Sequence, residues 1–123
     1  MLNPKSDRKL RFAAGAIDCQ VEQLIDEQAD VIYGGSEHRN IRTRLDDLGR
    51  IYMDIMMNDD VHRSLNVTEE RIRWIEARYP DDPLTQQRVK DLRHIVEILN
   101  GTDDGPDDYY GSGGYADRHG LDQ

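Results

Sequence analysis

Residues 10–31 read LRFAAGAIDCQVEQLIDEQADV, and the spacing of apolar side chains in this stretch is helical. Apolar residues recur at alternating intervals of four and three, as in the buried seam of a helical hairpin or a coiled coil. The seam consists of Leu10, Ala14, Ile17, Val21, Leu24 and Val31, with Gln28 in its one polar slot. Gly34-Gly35 predicts the end of this first helix, because glycine readily adopts the left-handed conformation that terminates helices.

A second seam with the same spacing follows the glycine pair. Its members are Ile41, Leu45, Leu48, Tyr52 and Ile55. Ser36 can cap this second helix, and the polar residues 58–60 end it. Two heptad helices joined by a short glycine turn predict an antiparallel helical hairpin.

Two shorter helices are predicted after the hairpin. Thr68 has the side chain of an N-cap, so it is the expected start of the third helix, with one short turn before it at residues 61–65. Pro80 must end that helix, because proline cannot continue one. Asp82-Pro83 is a strong start signal for the fourth helix. The sequence therefore predicts an all-α, four-helix bundle-like domain without strands.

The last 23 residues differ in composition from the rest of the chain. Residues 1–100 carry 15 Lys/Arg against 19 Asp/Glu, whereas residues 101–123 carry 1 against 6 and are rich in glycine and tyrosine. Such a composition predicts an acidic tail that is disordered unless it binds a partner. Tyr109, Tyr110 and Tyr115 are its candidate anchors on that partner.

The net charge of −9 disfavours direct binding to nucleic acid or to anionic membranes, since both need clustered Lys/Arg. Cys19 is the single cysteine, so no intrachain disulfide can form, and the heptad frame places it on the outward side. Without an apolar leader or a long apolar span, the expected location is the cytoplasm. The four histidines lack zinc-ligand spacing, and no metal or cofactor is predicted.

Four carboxylates recur every four residues along the first helix: Asp18, Glu22, Asp26 and Asp30. Neighbours at this spacing repel by roughly 0.2–0.5 kcal/mol per pair. No Lys or Arg lies between Phe12 and His38 to offset the repulsion. The cations could come from the second helix, from a partner protein or from Mg²⁺. The candidates on the second helix are Arg39, Arg42, Arg44 and Arg50.

Trp74 is predicted to point away from the buried face of the third helix, with Arg71 and Arg78 on the same outward side. Tryptophan and arginine are the residues most enriched in interface hot spots, so these three side chains are candidates for partner binding. The alternative is that both faces of the helix are covered and an arginine stacks on the indole. Arg88 falls inside the apolar arc of the fourth helix, where it either extends toward solvent or forms an ion pair.

Glu27-Gln28-Ala29-Asp30 resembles the ExxD half of the metal-binding motif in the all-α nucleoside-triphosphate pyrophosphohydrolases of the MazG and dUTPase type. Asp46-Asp47 lie in the helix that follows. The resemblance implies a Mg²⁺-dependent enzyme that holds a pyrophosphate group between carboxylates. The EExxE half that precedes ExxD in that family is absent from this sequence.

The absence of a nucleophile, base and orienting group in any recognisable pattern favours a non-catalytic helical interaction or assembly protein. Such a chain would be a small accessory or structural subunit that self-associates or binds a protein partner. A viral or phage protein, located within the virion, would fit this description. Besides the pyrophosphohydrolase, a second alternative is an acidic inhibitor whose carboxylate row imitates nucleic-acid phosphates.

Overall fold

The computed structural model describes residues 8–101. This part of the chain forms four helices: α1 (Arg8–Ala29), α2 (Ser36–Asn58), α3 (Val61–Arg78) and α4 (Pro83–Leu99). Each helix packs on the next, α1 also packs on α4, and α2 contacts α4 across the centre. The predicted four-helix bundle-like fold is confirmed. In this part of the chain, no helix combines the length and the apolarity that crossing a membrane requires.

Both heptad seams face the core, which is formed by aliphatic side chains from all four helices. Its largest fully buried members are Leu10, Ile17, Leu24, Leu48, Ile51, Ile55, Ile75, Leu92, Ile95, Ile98 and Leu99. The first half of α1 is buried over a wider arc than the seam, including Phe12, Ala13 and Cys19. The outward placement of Cys19 was therefore wrong. α1 packs against both α2 and α4, and two neighbours cover more of a helix surface than one does.

The third helix begins earlier than the sequence predicts, at Val61. Asp59 ends α2 in the left-handed conformation with φ 49°, and Asp60 follows as the N-cap of α3. The Asp60 side chain accepts a hydrogen bond of 3.1 Å from the backbone N–H of the third residue after it. Thr68 lies inside α3, where its hydroxyl donates to the carbonyl one turn earlier at 2.7 Å. The N-cap prediction for Thr68 was wrong because an aspartate had already started the helix.

The start of α4 is as predicted. The Asp82 side chain accepts a hydrogen bond of 2.9 Å from the N–H of Leu84, and Pro83 occupies the first helical turn. At the start of α2, Ser36 is the first helical residue and Gly35 is the N-cap, without a side-chain cap bond. Ser36 is therefore not the cap that the sequence suggested.

A buried carboxylate joins three of the helices. Asp47 of α2 is fully buried, and it accepts hydrogen bonds of 2.7 and 2.9 Å from Arg88 of α4. Arg71 of α3 donates two more, at 3.1 and 3.0 Å. Arg88 is itself buried, so of its two alternatives the ion pair is the one that the fold contains. The hydrogen bonds to Asp47 raise the pKa of Arg88, against the lowering effect of burial.

A second forked ion pair fastens α2 to α4. Arg44 donates to both oxygens of Asp91, at 2.8 and 2.9 Å, and both side chains are largely buried. Forked pairs of this kind fix the relative position of two helices, since both N–H groups must be aligned at once. Together with Asp47, this pair sets the register of α2 against α4.

We predict that Asp47→Asn lowers the free energy of unfolding by roughly 3 kcal/mol or more, because it leaves the buried Arg88 without a counter-charge. The matched control is Asp46→Asn, one residue earlier, where the carboxylate is exposed and pairs with Arg50 four residues away. That change should cost no more than about 0.5 kcal/mol. Urea unfolding followed by circular dichroism measures both values, and equal costs for the two variants would contradict the prediction.

Candidate protein-binding groove

The groove between α2 and α3 lies between two points at which these helices are tied together. At one end Arg71 binds Asp47, and at the other Ser64 donates a 2.8 Å hydrogen bond to Asp54. Between these contacts the helices leave an open groove of about 900 Å³. It is lined by Leu45, Asp46, Gly49, Arg50, Ile51, Met53, Asp54, Arg63, Val67, Glu70, Arg71 and Trp74.

The patch predicted from the sequence lies at one end of the groove. Trp74 is 42% exposed, and the guanidinium carbon of Arg71 lies 4.3 Å from the centre of its ring. Arg78 approaches the same ring at 5.6 Å, and Tyr79 meets it edge-on at 5.8 Å. An arginine does stack on the indole, as the alternative supposed, but the indole remains open to solvent. The role of these residues in partner binding remains a prediction.

Arg71 belongs both to this patch and to the buried ion cluster. Its guanidinium donates to Asp47 while it stacks on Trp74, and it also lies 3.8 Å from the Asp46 carboxylate. A side chain held by a buried carboxylate has few conformations left. The indole is therefore presented on a fixed support, which reduces the entropy that a partner would have to remove on binding.

The other end of the groove is formed by a residue that the sequence reasoning missed. Met53 is 55% exposed, and Met57, one turn further along α2, is exposed as well. Gly49 precedes Met53 by one turn, and a Cβ atom at Gly49 would meet nothing within 4 Å. The sequence signal was available, because these three residues recur every four positions on the outward side of the second seam. Methionine adapts its shape to what it contacts, which suits a binding surface.

Two other surface features could be considered as binding sites: a second groove, and the exposed apolar turn between α1 and α2. The second groove, about 680 Å³, is lined mostly by polar and charged side chains, such as Gln86 and Lys90 of α4. None of the large exposed apolar side chains in the described residues lies in it. The turn between α1 and α2 exposes Ile32 by 83% and Tyr33 by 85%. The sequence reasoning missed this tip, although Val31-Ile32-Tyr33 is an unusually apolar turn.

The acidic row lies along α1 and beyond its end. Glu22 and Asp26 are exposed, and Asp30 lies in the turn that follows the helix. Asp18 is half-buried, and burial together with the nearby Glu22 raises the pKa of its carboxyl. Asp18 in turn contributes, after burial, to raising the pKa of Tyr52 on α2. The first member of the row is thus less exposed than Glu22 and Asp26.

Three of the four arginines expected to neutralise the row have other partners. Arg44 binds Asp91 and Arg50 binds Asp46, while Arg39 donates to the backbone carbonyl of Gly34. Glu27, which lies outside the row, contributes to raising the pKa of Arg44, although its effect is smaller than that of Asp91. The row and the groove are separate surfaces, because the groove lining comes entirely from α2 and α3.

Of the carboxylates that suggested a metal-dependent enzyme, Asp47 belongs to the buried ion cluster. Both oxygens of Asp47 accept hydrogen bonds from arginine, which leaves this group badly placed to bind a cation. Within residues 8–101, no three carboxylate, histidine or cysteine side chains converge in a way that could hold a metal ion. Tyr109, Tyr110 and Tyr115, the predicted tail anchors, lie outside the described residues.

We predict that Gly49→Ala raises the free energy of unfolding by about 1 kcal/mol, because glycine is that much worse than alanine inside a helix. The space around Gly49 lets the methyl group enter without strain. Thermal and urea unfolding of the two proteins measure the difference. A variant less stable than the parent would contradict the inference that the fold itself has no need of glycine here.

Comparison of the chain with protein-family models, with curated proteins and with solved structures gives no match in any of the three. The elements of the α2–α3 groove are an exposed tryptophan on a fixed support, an adaptable methionine at the opposite end, and a glycine between them.

Proposed function

We propose that this chain is a non-catalytic helical interaction protein, a small accessory or structural subunit of a larger assembly, which binds protein through the α2–α3 groove. The observation that carries the proposal is the exposure of Trp74 at the groove edge, stacked on Arg71, which a buried carboxylate holds in place. A half-exposed indole loses part of the hydrophobic gain that its area could provide, and a partner that covers it recovers that gain.

The groove suits an α-helix as its occupant. Apolar positions lie at its two ends, at Trp74 and Met53, and the open position at Gly49 permits close approach between them. An amphipathic helix bound in a groove repeats its apolar anchors every three or four residues along one face, so its anchors can reach both ends of this groove. The polar side chains on the rim can then form hydrogen bonds around the contact, as in interfaces whose centre is apolar.

The proposal is tested with a photo-crosslinking amino acid placed at Met53, in cells that produce the full chain. We expect a discrete crosslinked product at this position. The matched control places the same amino acid at Lys90, which is exposed on α4 and lies outside the groove. Trp74→Ala should weaken formation of the Met53 product by at least about tenfold, since hot-spot truncations cost roughly 2 kcal/mol or more.

Two results would count against the proposal. One is a product that forms equally well from Met53 and from Lys90, which indicates non-specific collision. The other is a Met53 product that Trp74→Ala leaves unchanged, although the variant keeps the helical circular dichroism of the parent. The mass of the product further distinguishes a second copy of this chain from a different protein.

A further inference from the structure

The two ends of the groove carry side chains that can pack on each other when two copies of the chain meet: Trp74 at one end and Met53 at the other. Arg71 of α3 is level with Asp47 of α2, and Ser64 is level with Asp54, so the two helices run antiparallel in a fixed register. In this register Trp74 is level with the start of the α2 segment that forms the groove, about 13 Å from Met53 at a rise of ~1.5 Å per residue. The midpoint between these two levels falls at the turn of α2 that contains Gly49.

A two-fold axis over Gly49 would therefore bring the Trp74 of one copy onto the Met53 of the other, and the reverse. Sulfur–aromatic contacts of this kind are favourable, and the flexible methionine side chain adjusts to the ring. The same axis passes over the position where neither copy has a side chain. Two helices can then approach closely at their crossing point, as a contact between identical surfaces requires.

The charges on the rim also favour a second copy. Three arginines and three carboxylates line the groove, so its rim is neutral although the chain carries a net charge of −9. Asp46 and Arg50 lie on opposite sides of Gly49 along α2, and both are well exposed. Across the two-fold axis, the Asp46 of one copy approaches the Arg50 of the other. A contact at this neutral surface avoids the repulsion that two acidic chains meet elsewhere.

We infer that the occupant of the groove is a second copy of this chain, packed with its α2 antiparallel to the first across a two-fold axis at Gly49. This inference rests on the groove being the binding surface proposed above. The contact is isologous, with each Trp74 seated on the partner copy at Met53.

Sedimentation velocity of the full chain tests this directly. We expect a species of twice the 14.2 kDa chain mass, whose fraction increases as the protein concentration is raised. The emission of Trp74, the single tryptophan, should shift to shorter wavelength over the same concentration range. Gly49→Leu should raise the dissociation constant at least about tenfold. The control, Gln23→Leu, adds the same side chain to an exposed position of α1 and should have no effect.

A charge exchange tests the two-fold geometry itself. Asp46→Arg alone and Arg50→Asp alone should each remove self-association, because like charges then meet across the axis. An equimolar mixture of the two variants should recover a dimer that contains one chain of each. The double variant Asp46→Arg with Arg50→Asp should associate as the parent does, since it exchanges the charges within every chain.

A parent chain that remains monomeric at all concentrations would overturn the inference. So would a dimer that Gly49→Leu leaves intact and that Tyr33→Ser at the α1–α2 turn dissociates. In either case a Met53 crosslink to a different protein would preserve the proposed function. The absence of any Met53-specific crosslink would remove the proposed function as well.

Discussion

Both oxygens of the Asp47 carboxylate are occupied by guanidinium groups from two other helices, and the arrangement of α2, α3 and α4 depends on this contact. A carboxylate taken out of water is costly unless its hydrogen-bonding capacity is used, and here four N–H bonds use it. The geometry leaves little freedom, because a shift of α4 along its axis would break the forked Arg88 pair, and a shift of α3 would separate Arg71 from the Oδ1 atom that accepts both of its bonds. The ion cluster therefore specifies one register among those that an aliphatic core would tolerate.

The same constraint reaches the surface through Arg71. One part of its guanidinium binds the buried carboxylate, and its flat face supports the indole of Trp74. The groove thus has a rigid wall at this end and an adaptable one at Met53. A rigid anchor lowers the entropic cost of association, and an adaptable surface tolerates small errors of fit. Arg71 therefore connects the buried ion cluster to the proposed binding surface.

Much of the fold could be predicted from the sequence, because heptad spacing, the glycine turn and the Asp82-Pro83 start are local signals. The start of α3 could not be predicted, because Asp59, Asp60 and Thr68 are all side chains that can cap the start of a helix. The ion-pair partners of the charged side chains were harder to predict. Arg88 stood out as a cation in an apolar arc, but nothing local connects it with Asp47, which is 41 residues away.

The candidate site, too, could be predicted only in part. Trp74, Arg71 and Arg78 share one helix face, so their proximity followed from helical geometry alone. The groove requires two helices in register. Gly49 and Met53 can therefore be recognised as part of it only when the position of α3 beside α2 is known. The acidic row was correctly placed on α1, except for Asp30 beyond its end, but its assumed arginine partners depended on contacts that helical periodicity does not encode.

The most direct test of this account is a double-mutant cycle between Asp47 and Arg88, with leucine at either or both positions and stability measured by urea unfolding. The account predicts that each single replacement costs several kcal/mol, roughly 3–5, while the double replacement costs far less than their sum. Costs that simply add would contradict it, because the two side chains would then act independently and the buried carboxylate would not hold the helices together.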